Sequence, residues 1–139
     1  MMKKKESHHT YTVTKEIRFC YGHRLMDYRG PCANLHGHNG RVHIQLATEK
    51  LDKRGMVFDF SDIQRVIKGW IDRTLDHTLI LNKKDPVVAA LKKKRERFFA
   101  IDSNPTAEEI ARLIFNYAHS KKFPDRKSTR LNSSHRIRS

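Results

Sequence analysis

The sequence has no run of about 18 or more apolar residues, the minimum for a membrane-spanning helix. Its first ten residues, MMKKKESHHT, contain lysines but no apolar segment behind them, so they do not resemble a secretory signal. We therefore expect a cytoplasmic protein with no membrane partner. Cysteine is also scarce. In a cytosolic chain, the two cysteines are expected to be free thiols or site residues rather than a disulfide.

Acidic residues are few, and the 139 residues carry a formal net charge of +14, which by itself indicates nucleic acid or another polyanion as partner. The segment 125–139 has no apolar periodicity. Its first part, DRKSTRLNSSH, resembles the translation of a common DNA-sequencing adapter. We therefore predict one domain at 1–124 and a non-native tail at 125–139. The tail has five basic residues and one acidic residue, so the remainder still carries +10.

Hydrophobic periodicity predicts an α+β domain. Alternation predicts strands at about Thr10–Cys20 and in RVHIQLAT, and short strands at MVFDF and RFFAID. The helical period predicts helices in SDIQRVIKGWIDRTL, with Ser61 as N-cap, and in SNPTAEEIARLIFNYAH, where Thr106 and Glu109 match a capping box. PVVAALKKKRERF is compatible with a short helix, and DHTLILNKKDP is predicted to be a loop. This order favours an antiparallel sheet with two helices on one face.

Histidine is concentrated between residues 23 and 38, in CYGHRLMDYRGPCANLHGHNG. His36 and His38 are two residues apart, so on an extended segment both side chains point to the same face. His23 would reach them from a neighbouring strand. Three imidazoles with a fourth position open are typical of catalytic rather than structural zinc. The alternative is a surface turn at HGH with a buried, hydrogen-bonded His23.

Two cysteines lie near these histidines. Cys32, four residues before His36, is a candidate fourth zinc ligand, or a nucleophile or base beside the metal, because a nearby cation favours the reactive thiolate. Cys20 lies within a predicted strand. It is expected to be a small buried hydrophobic residue.

Four separated motifs occur in a recognisable order: FCYGH with CANLHGHN, then GMVFDFSDI, LDHTLILN and NPTAEEIA. Together they resemble the 6-pyruvoyl- and 6-carboxy-tetrahydropterin synthase family, from about Thr12 to Tyr117. The spacing Cys-x3-His-Gly-His resembles the bacterial 6-carboxy enzymes of the queuosine pathway, since the animal pyruvoyl synthases have a longer gap.

The resemblance implies a tunnelling fold (T-fold), assembled into an oligomeric barrel as a trimer or hexamer with active sites at subunit interfaces. It implies Zn²⁺ on His23, His36 and His38. It further implies Cys32 as the proton-abstracting residue, with Asp76 and His77 as its partners. The implied reaction is carbon-carbon lyase chemistry, in which 7,8-dihydroneopterin triphosphate gives 6-carboxy-5,6,7,8-tetrahydropterin, acetaldehyde and triphosphate.

The resemblance also places Glu108 near the pterin, although its position at a helix start is equally explained by the helix dipole. Two positions depart from the family pattern. Gly40 stands where many members have an aromatic residue, and nothing after Ala118 matches the family's last strand with its substrate-binding glutamate. We therefore expect the C-terminal strand to be missing.

Two other functions fit parts of the sequence. A 6-pyruvoyl-tetrahydropterin synthase would share the motifs and differ in product. A small basic nucleic-acid-binding module with structural zinc would explain the charge. However, the paired cysteines of zinc fingers are absent, so no nucleic-acid partner is expected.

Overall fold

The computed structural model describes residues 9–121 and the backbone of the strand 128–136. Within this part of the chain the strands are β1 (Tyr11–His23), β2 (His36–Thr48), β3 (Thr78–Asn82), β4 (Phe98–Ile101) and β5 (Ser128–Arg136). Helix α1 (Phe60–Ile63) continues through a π-helical turn (Gln64–Lys68) into α2 (Gly69–Thr74). Helices α3 (Val87–Lys94) and α4 (Ala107–Ser120) follow, and a short 3₁₀ turn covers Pro31–Ala33.

The described strands form one mixed sheet in the order β4-β3-β1-β2-β5. β1 pairs with β2, and β2 with β5, in antiparallel fashion, whereas β3 is parallel to both β1 and β4. The α+β class is as predicted, but the purely antiparallel sheet is wrong. Helical segments precede both β3 and β4, and such crossovers allow each strand to run parallel to its neighbour.

One hydrophobic core lies between the sheet and the helices. Alternate residues of β1 from Ile17 onward are buried, and Ile17 and Phe19 belong to one core with Ile67 and Ile71 from the first helical stretch and Ile114 from α4. The predicted helical layer on one sheet face is confirmed. The intervening residues of β1 point to the other face, which the helices leave uncovered.

Three local predictions are corrected. MVFDF is not a strand: it forms a bend at Val57 and Phe58, which reach the core, and ends in the first residue of α1. The N-cap of α1 is Asp59, whose carboxylate accepts from Ser61 N at 2.9 Å, rather than Ser61 itself. The predicted loop DHTLILNKKDP contains β3, whose continuous apolar run is typical of a strand buried between parallel neighbours.

β5 lies within the segment predicted to be a non-native tail, and it pairs with β2 from Asn39↔Arg136 to Ala47↔Ser128. The structure therefore has a strand at the sheet edge that was expected to be empty. Backbone hydrogen bonding depends little on side chains, so an extended segment can satisfy the β2 edge without a strand-like sequence pattern. The non-native origin of 125–139 stays a prediction.

Candidate metal centre and active site

The antiparallel register of β1 and β2 brings three histidines together at one end of the sheet. His23 is directly opposite His36, and His38 lies two residues further along the same face of β2. The ring centroids are 4.5 Å apart for His23–His36, 4.7 Å for His36–His38 and 4.8 Å for His23–His38. One candidate ligand nitrogen from each ring lies within 4.8 Å of the other two. We call these residues the histidine triad.

Backbone carbonyls fix two rings of the triad in one tautomer. His23 Nδ1 lies 2.6 Å from Pro105 O, and His36 Nδ1 lies 2.6 Å from Asn34 O. A carbonyl only accepts, so each Nδ1 carries the proton and donates it, which leaves the Nε2 lone pair of each ring available to a metal. Metal-bound histidines are typically oriented by such a second hydrogen bond.

The electrostatics of His23 and His38 favour neutral imidazoles. Burial lowers the pKa of His23, and the neighbouring His36 and His38 lower it further, against the opposing effect of the Pro105 carbonyl. Burial also lowers the pKa of His38, again with a contribution from His36. His36 Nε2 is buried and has no hydrogen-bond partner among the described residues. A divalent cation would satisfy this atom, so the donor set fits a metal such as zinc.

Cys32 lies in the 3₁₀ turn between β1 and β2 and is half-buried. Its carbonyl accepts from Leu25 N at 2.8 Å, which ties the turn to the residues that follow β1. Its thiol belongs to neither group of possible metal ligands found in the described residues. The structure of a single chain therefore does not group Cys32 with the triad as a fourth ligand, nor with Asp76 and His77.

Asp76 and His77 form a dyad where the chain enters β3. His77 Nδ1 lies 2.9 Å from Asp76 Oδ2, and the other carboxylate oxygen accepts from Cys20 N at 2.9 Å. Burial acts to raise the pKa of Asp76, but the hydrogen bonds from Cys20 and His77 outweigh it, so the net pKa is lowered. His77 N donates to Cys20 O at 2.6 Å, and its φ of 53° is in the left-handed region. A non-glycine residue held there marks a locally constrained site.

Cys20 is the residue that the structure places beside this dyad. The prediction that Cys20 is buried is wrong: it is exposed, because its position in β1 points to the face without helices. Its Sγ donates to Asn39 Oδ1 at 3.1 Å, and its thiol lies within 4.8 Å of ligand atoms of Asp76 and His77. Sequence analysis missed this group, because nothing in the chain order connects residue 20 with 76.

Glu108 lies in the first turn of α4 and is exposed. Thr106 caps this helix by accepting from Glu109 N at 3.2 Å, as predicted. In a full capping box Thr106 N would donate to the Glu109 side chain, but here it donates to Asn104 O. The same loop supplies the Pro105 carbonyl to His23, so the start of α4 lies next to the triad.

Gly40, the departure from the family pattern, lies opposite Phe19 in the β1–β2 ladder. A Cβ at this position would come within 3.1 Å of both Phe19 Cε1 and Tyr21 Cε1. These two rings stack with centroids 5.3 Å apart. The aromatic side chains of β1 therefore occupy the space that an aromatic residue at position 40 would need.

These elements and sites define a pterin-synthase type of fold, and the comparison with known proteins agrees. The family model for 6-pyruvoyl tetrahydropterin synthase matches residues 12–138, so the chain belongs to this family of enzymes. No helix in the described part of the chain is long and apolar enough to span a bilayer.

Three bacterial relatives of the chain share the same name. The chain is 35% identical over 116 residues to the 6-carboxy-5,6,7,8-tetrahydropterin synthase of Rickettsia bellii, covering 82% of this chain and 84% of the relative. The proteins of the same name from Rickettsia felis and Haemophilus influenzae are 38% and 33% identical. For R. felis the match covers 79% of this chain and 81% of the relative, and for H. influenzae 76% and 80%.

Solved structures confirm the predicted tunnelling fold. The uncharacterized protein WS1659 from Wolinella succinogenes superimposes with a TM-score of 0.73 at 25% identity, over 88% of this chain and 97% of that one. The 6-pyruvoyl tetrahydropterin synthase of Caenorhabditis elegans gives a TM-score of 0.59 at 24% identity, over 81% of this chain and 79% of that one.

Proposed function

We propose that the protein is a zinc-dependent 6-carboxy-5,6,7,8-tetrahydropterin synthase. In this proposal it converts 7,8-dihydroneopterin triphosphate to 6-carboxy-5,6,7,8-tetrahydropterin, acetaldehyde and triphosphate, in the route to 7-deazapurines such as queuosine. The observation that carries the proposal is the convergence of His23, His36 and His38, two of them with their tautomers fixed by backbone carbonyls. The names of the bacterial relatives support the carboxy product.

The triad residues would hold Zn²⁺ through three neutral nitrogens. When bound, zinc supplies Lewis-acid stabilisation of negative charge on the hydroxyl-bearing side chain of the pterin. The fixed tautomers of His23 and His36 orient the ligand lone pairs before any metal binds. The lowered pKa values of His23 and His38 keep these ligands unprotonated at neutral pH.

The remaining chemistry needs proton transfer to and from carbon. We assign the abstraction to Cys32 as thiolate and the relay to His77, whose Nδ1 proton is held by Asp76 Oδ2 at 2.9 Å. That hydrogen bond leaves His77 Nε2 to exchange protons with a substrate. His77 is suited to this because its side chain is 76% exposed. Glu108, in the turn after the Pro105 loop, is assigned to the pterin.

The two halves of this machinery lie on different sides of one chain's sheet. The triad is on the buried face with His23, whereas Asp76 and His77 adjoin the Cys20 side chain, which points to the uncovered face. We propose that a second copy completes the site by bringing its own dyad to the triad and Cys32. This supports a homo-oligomer, a trimer or hexamer, with active sites between subunits.

The C-terminal region bears on activity. The sequence contains no glutamate after Glu109, so no residue of 122–139 can be the glutamate expected from the family's last strand. We propose that 125–139 is non-native. The enzyme assignment therefore describes the protein with its own C-terminal strand. The cytoplasmic location stays a prediction.

The test is to incubate zinc-loaded protein, carrying the C-terminal strand of a bacterial relative, with 7,8-dihydroneopterin triphosphate and to identify the products. We expect acetaldehyde and the 6-carboxy pterin. Cys32→Ala should lose turnover but keep zinc, while His36→Ala should lose both. Asp102→Asn, which removes an exposed ion pair with Lys83, is the matched control and should keep turnover. Full activity in Cys32→Ala or His36→Ala contradicts the assigned roles.

Two alternatives are separated by simple measurements. A 6-pyruvoyl product without acetaldehyde would identify the sibling synthase, whose fold this chain shares. The formal charge of +14 is the observation that favours nucleic-acid binding. Titration with an oligonucleotide across salt concentrations tests it, since phosphate contacts would give tight binding that weakens steeply with salt.

A further inference from the structure

We propose a second divalent-cation site, separate from the histidine triad, formed by Cys20 Sγ, an Asp76 carboxylate oxygen and a ring nitrogen of His77. It is a site for zinc or a similar borderline-soft ion. Its ligand atoms all lie within 4.8 Å of one another. We call these residues the Cys20 cluster.

The backbone already holds the Cys20 cluster together. Asp76 Oδ1 accepts from Cys20 N at 2.9 Å, which anchors the carboxylate and leaves Oδ2 directed at His77. His77 N donates to Cys20 O at 2.6 Å, and the left-handed backbone at His77 fixes where its side chain begins. The cluster is therefore assembled before an ion arrives, so binding requires little rearrangement of the chain.

The donor set selects the kind of ion. A thiolate, an imidazole and a carboxylate together are typical of Zn²⁺, whereas Mg²⁺ and Ca²⁺ prefer oxygen ligands alone. Asn39 Oδ1, 3.1 Å from Cys20 Sγ, or a water molecule can complete a tetrahedral shell. On binding, the metal replaces the thiol proton, which goes to solvent, while the neutral His77 ring keeps its one proton on the nitrogen that does not bind the metal.

The Cys20 cluster is open to solvent ions. Cys20, Asn39 and His77 line a cavity of about 650 Å³, which His38 of the triad and Arg97 also line. The same three residues line a second cavity of about 350 Å³ with Asp76. The His77 side chain is 76% exposed, so its ring is accessible to an ion from solvent.

Occupation of the Cys20 cluster has a consequence for catalysis. His77 cannot relay protons while it is a metal ligand, so excess zinc should inhibit the enzyme although one zinc per chain is required. This consequence rests on the proposed function, but the site itself does not. A failure of the enzyme assignment would leave the binding measurements below unaffected.

The experiment uses the metal-free full-length chain with Zn²⁺ and Co²⁺ as probes. Bound zinc is counted after removal of free metal. Cobalt reports the ligand type, because thiolate ligation gives an intense sulfur-to-metal charge-transfer band that imidazole ligation lacks. We expect Cys20→Ser to lose this band and about one zinc per chain, since it removes the only thiolate of the cluster. The matched control Cys32→Ser should keep both.

A third variant separates the two sites. His36→Ala should lose the triad zinc but keep the cobalt–thiolate band, whereas His77→Gln should weaken the band with Cys20 intact. Absence of the band in the wild type, or its loss in Cys32→Ser with retention in Cys20→Ser, overturns the proposal. Far-ultraviolet circular dichroism of each variant checks folding. If Cys20→Ser fails to fold, His77→Gln decides, and an unchanged band in that variant also overturns the proposal.

Discussion

The ion pair between Arg24 and Asp85 should contribute strongly to stability, because the Asp85 carboxylate is buried. It lies next to the triad, since Arg24 directly follows His23. Arg24 Nε donates to Asp85 Oδ2 at 2.6 Å, and Nη2 donates to Asp85 Oδ1, so the contact is bidentate. The Asp85 side chain is 0% exposed and that of Arg24 is 29% exposed. Asp85 Oδ1 also accepts from Val87 N at 2.9 Å at the start of α3.

Asp85→Asn should lower the free energy of unfolding by about 2–3 kcal/mol. Breaking a fully buried ion pair costs about 3–5 kcal/mol, and the partial exposure of Arg24 reduces the penalty for leaving its charge unpaired. The asparagine oxygen can still accept from Val87 N. Asp85→Ala also removes the hydrogen bond to Val87 N and should lower the free energy of unfolding by about 1 kcal/mol more.

The pH dependence gives an independent check. The hydrogen bond from Arg24 is the main cause that lowers the pKa of Asp85, against the opposing effect of burial. A carboxyl group with a lowered folded-state pKa stabilises the protein above its unfolded value of about 3.9, and this contribution disappears as pH falls through the folded value. The difference between wild type and Asp85→Asn should therefore be full at pH 7 and shrink below about pH 3.9.

The assay is urea unfolding followed by Trp70 fluorescence and circular dichroism. Asp102→Asn is the control, because its ion pair with Lys83 at 2.7 Å is exposed and should contribute little. An Asp85→Asn variant as stable as Asp102→Asn at pH 7 would refute the argument from burial.

Two further predictions concern packing and capping, and the same urea assay measures both. Gly40→Ala should lower the free energy of unfolding by about 1–3 kcal/mol, since the new methyl group forces the rings of Phe19 and Tyr21 to move. Adding Tyr21→Ala should relieve part of this loss. If the losses of the two single variants simply add in the double variant, the steric cause is wrong. Thr106→Ala should lower the free energy of unfolding by about 1 kcal/mol through the lost hydrogen bond from Glu109 N, whereas Thr106→Ser should keep most of the wild-type stability.

The sequence predicts the parts of the structure that depend on local periodicity. Alternation in β2 places His36 and His38 on one face independently of the rest of the fold. The N-cap preference of Thr106 alone identifies the start of α4. The convergence of His23 with these residues also follows once β1 and β2 form a hairpin-like pair.

Other parts depend on contacts that local sequence does not encode. The carbonyls that fix the triad tautomers belong to Asn34 and Pro105, and every residue type carries such an acceptor. β3 was predicted to be a loop because a central parallel strand lacks alternation. The Cys20 cluster follows from the entry of the chain into β3, where His77 N meets Cys20 O across 57 positions of sequence.

The β1–β2 register determines the chemistry of both faces at once. A slip of one residue would move His36 and His38 to the face of Cys20 and move the fully buried Ile44 and Leu46 out of the core. Burial of such side chains contributes about 1.5–3 kcal/mol each, so the slipped register would lose several kcal/mol from these two residues alone. The hydrophobic core therefore holds the histidine triad in place through the register that residues such as Ile44 and Leu46 enforce, and it also keeps Cys20 on the opposite face.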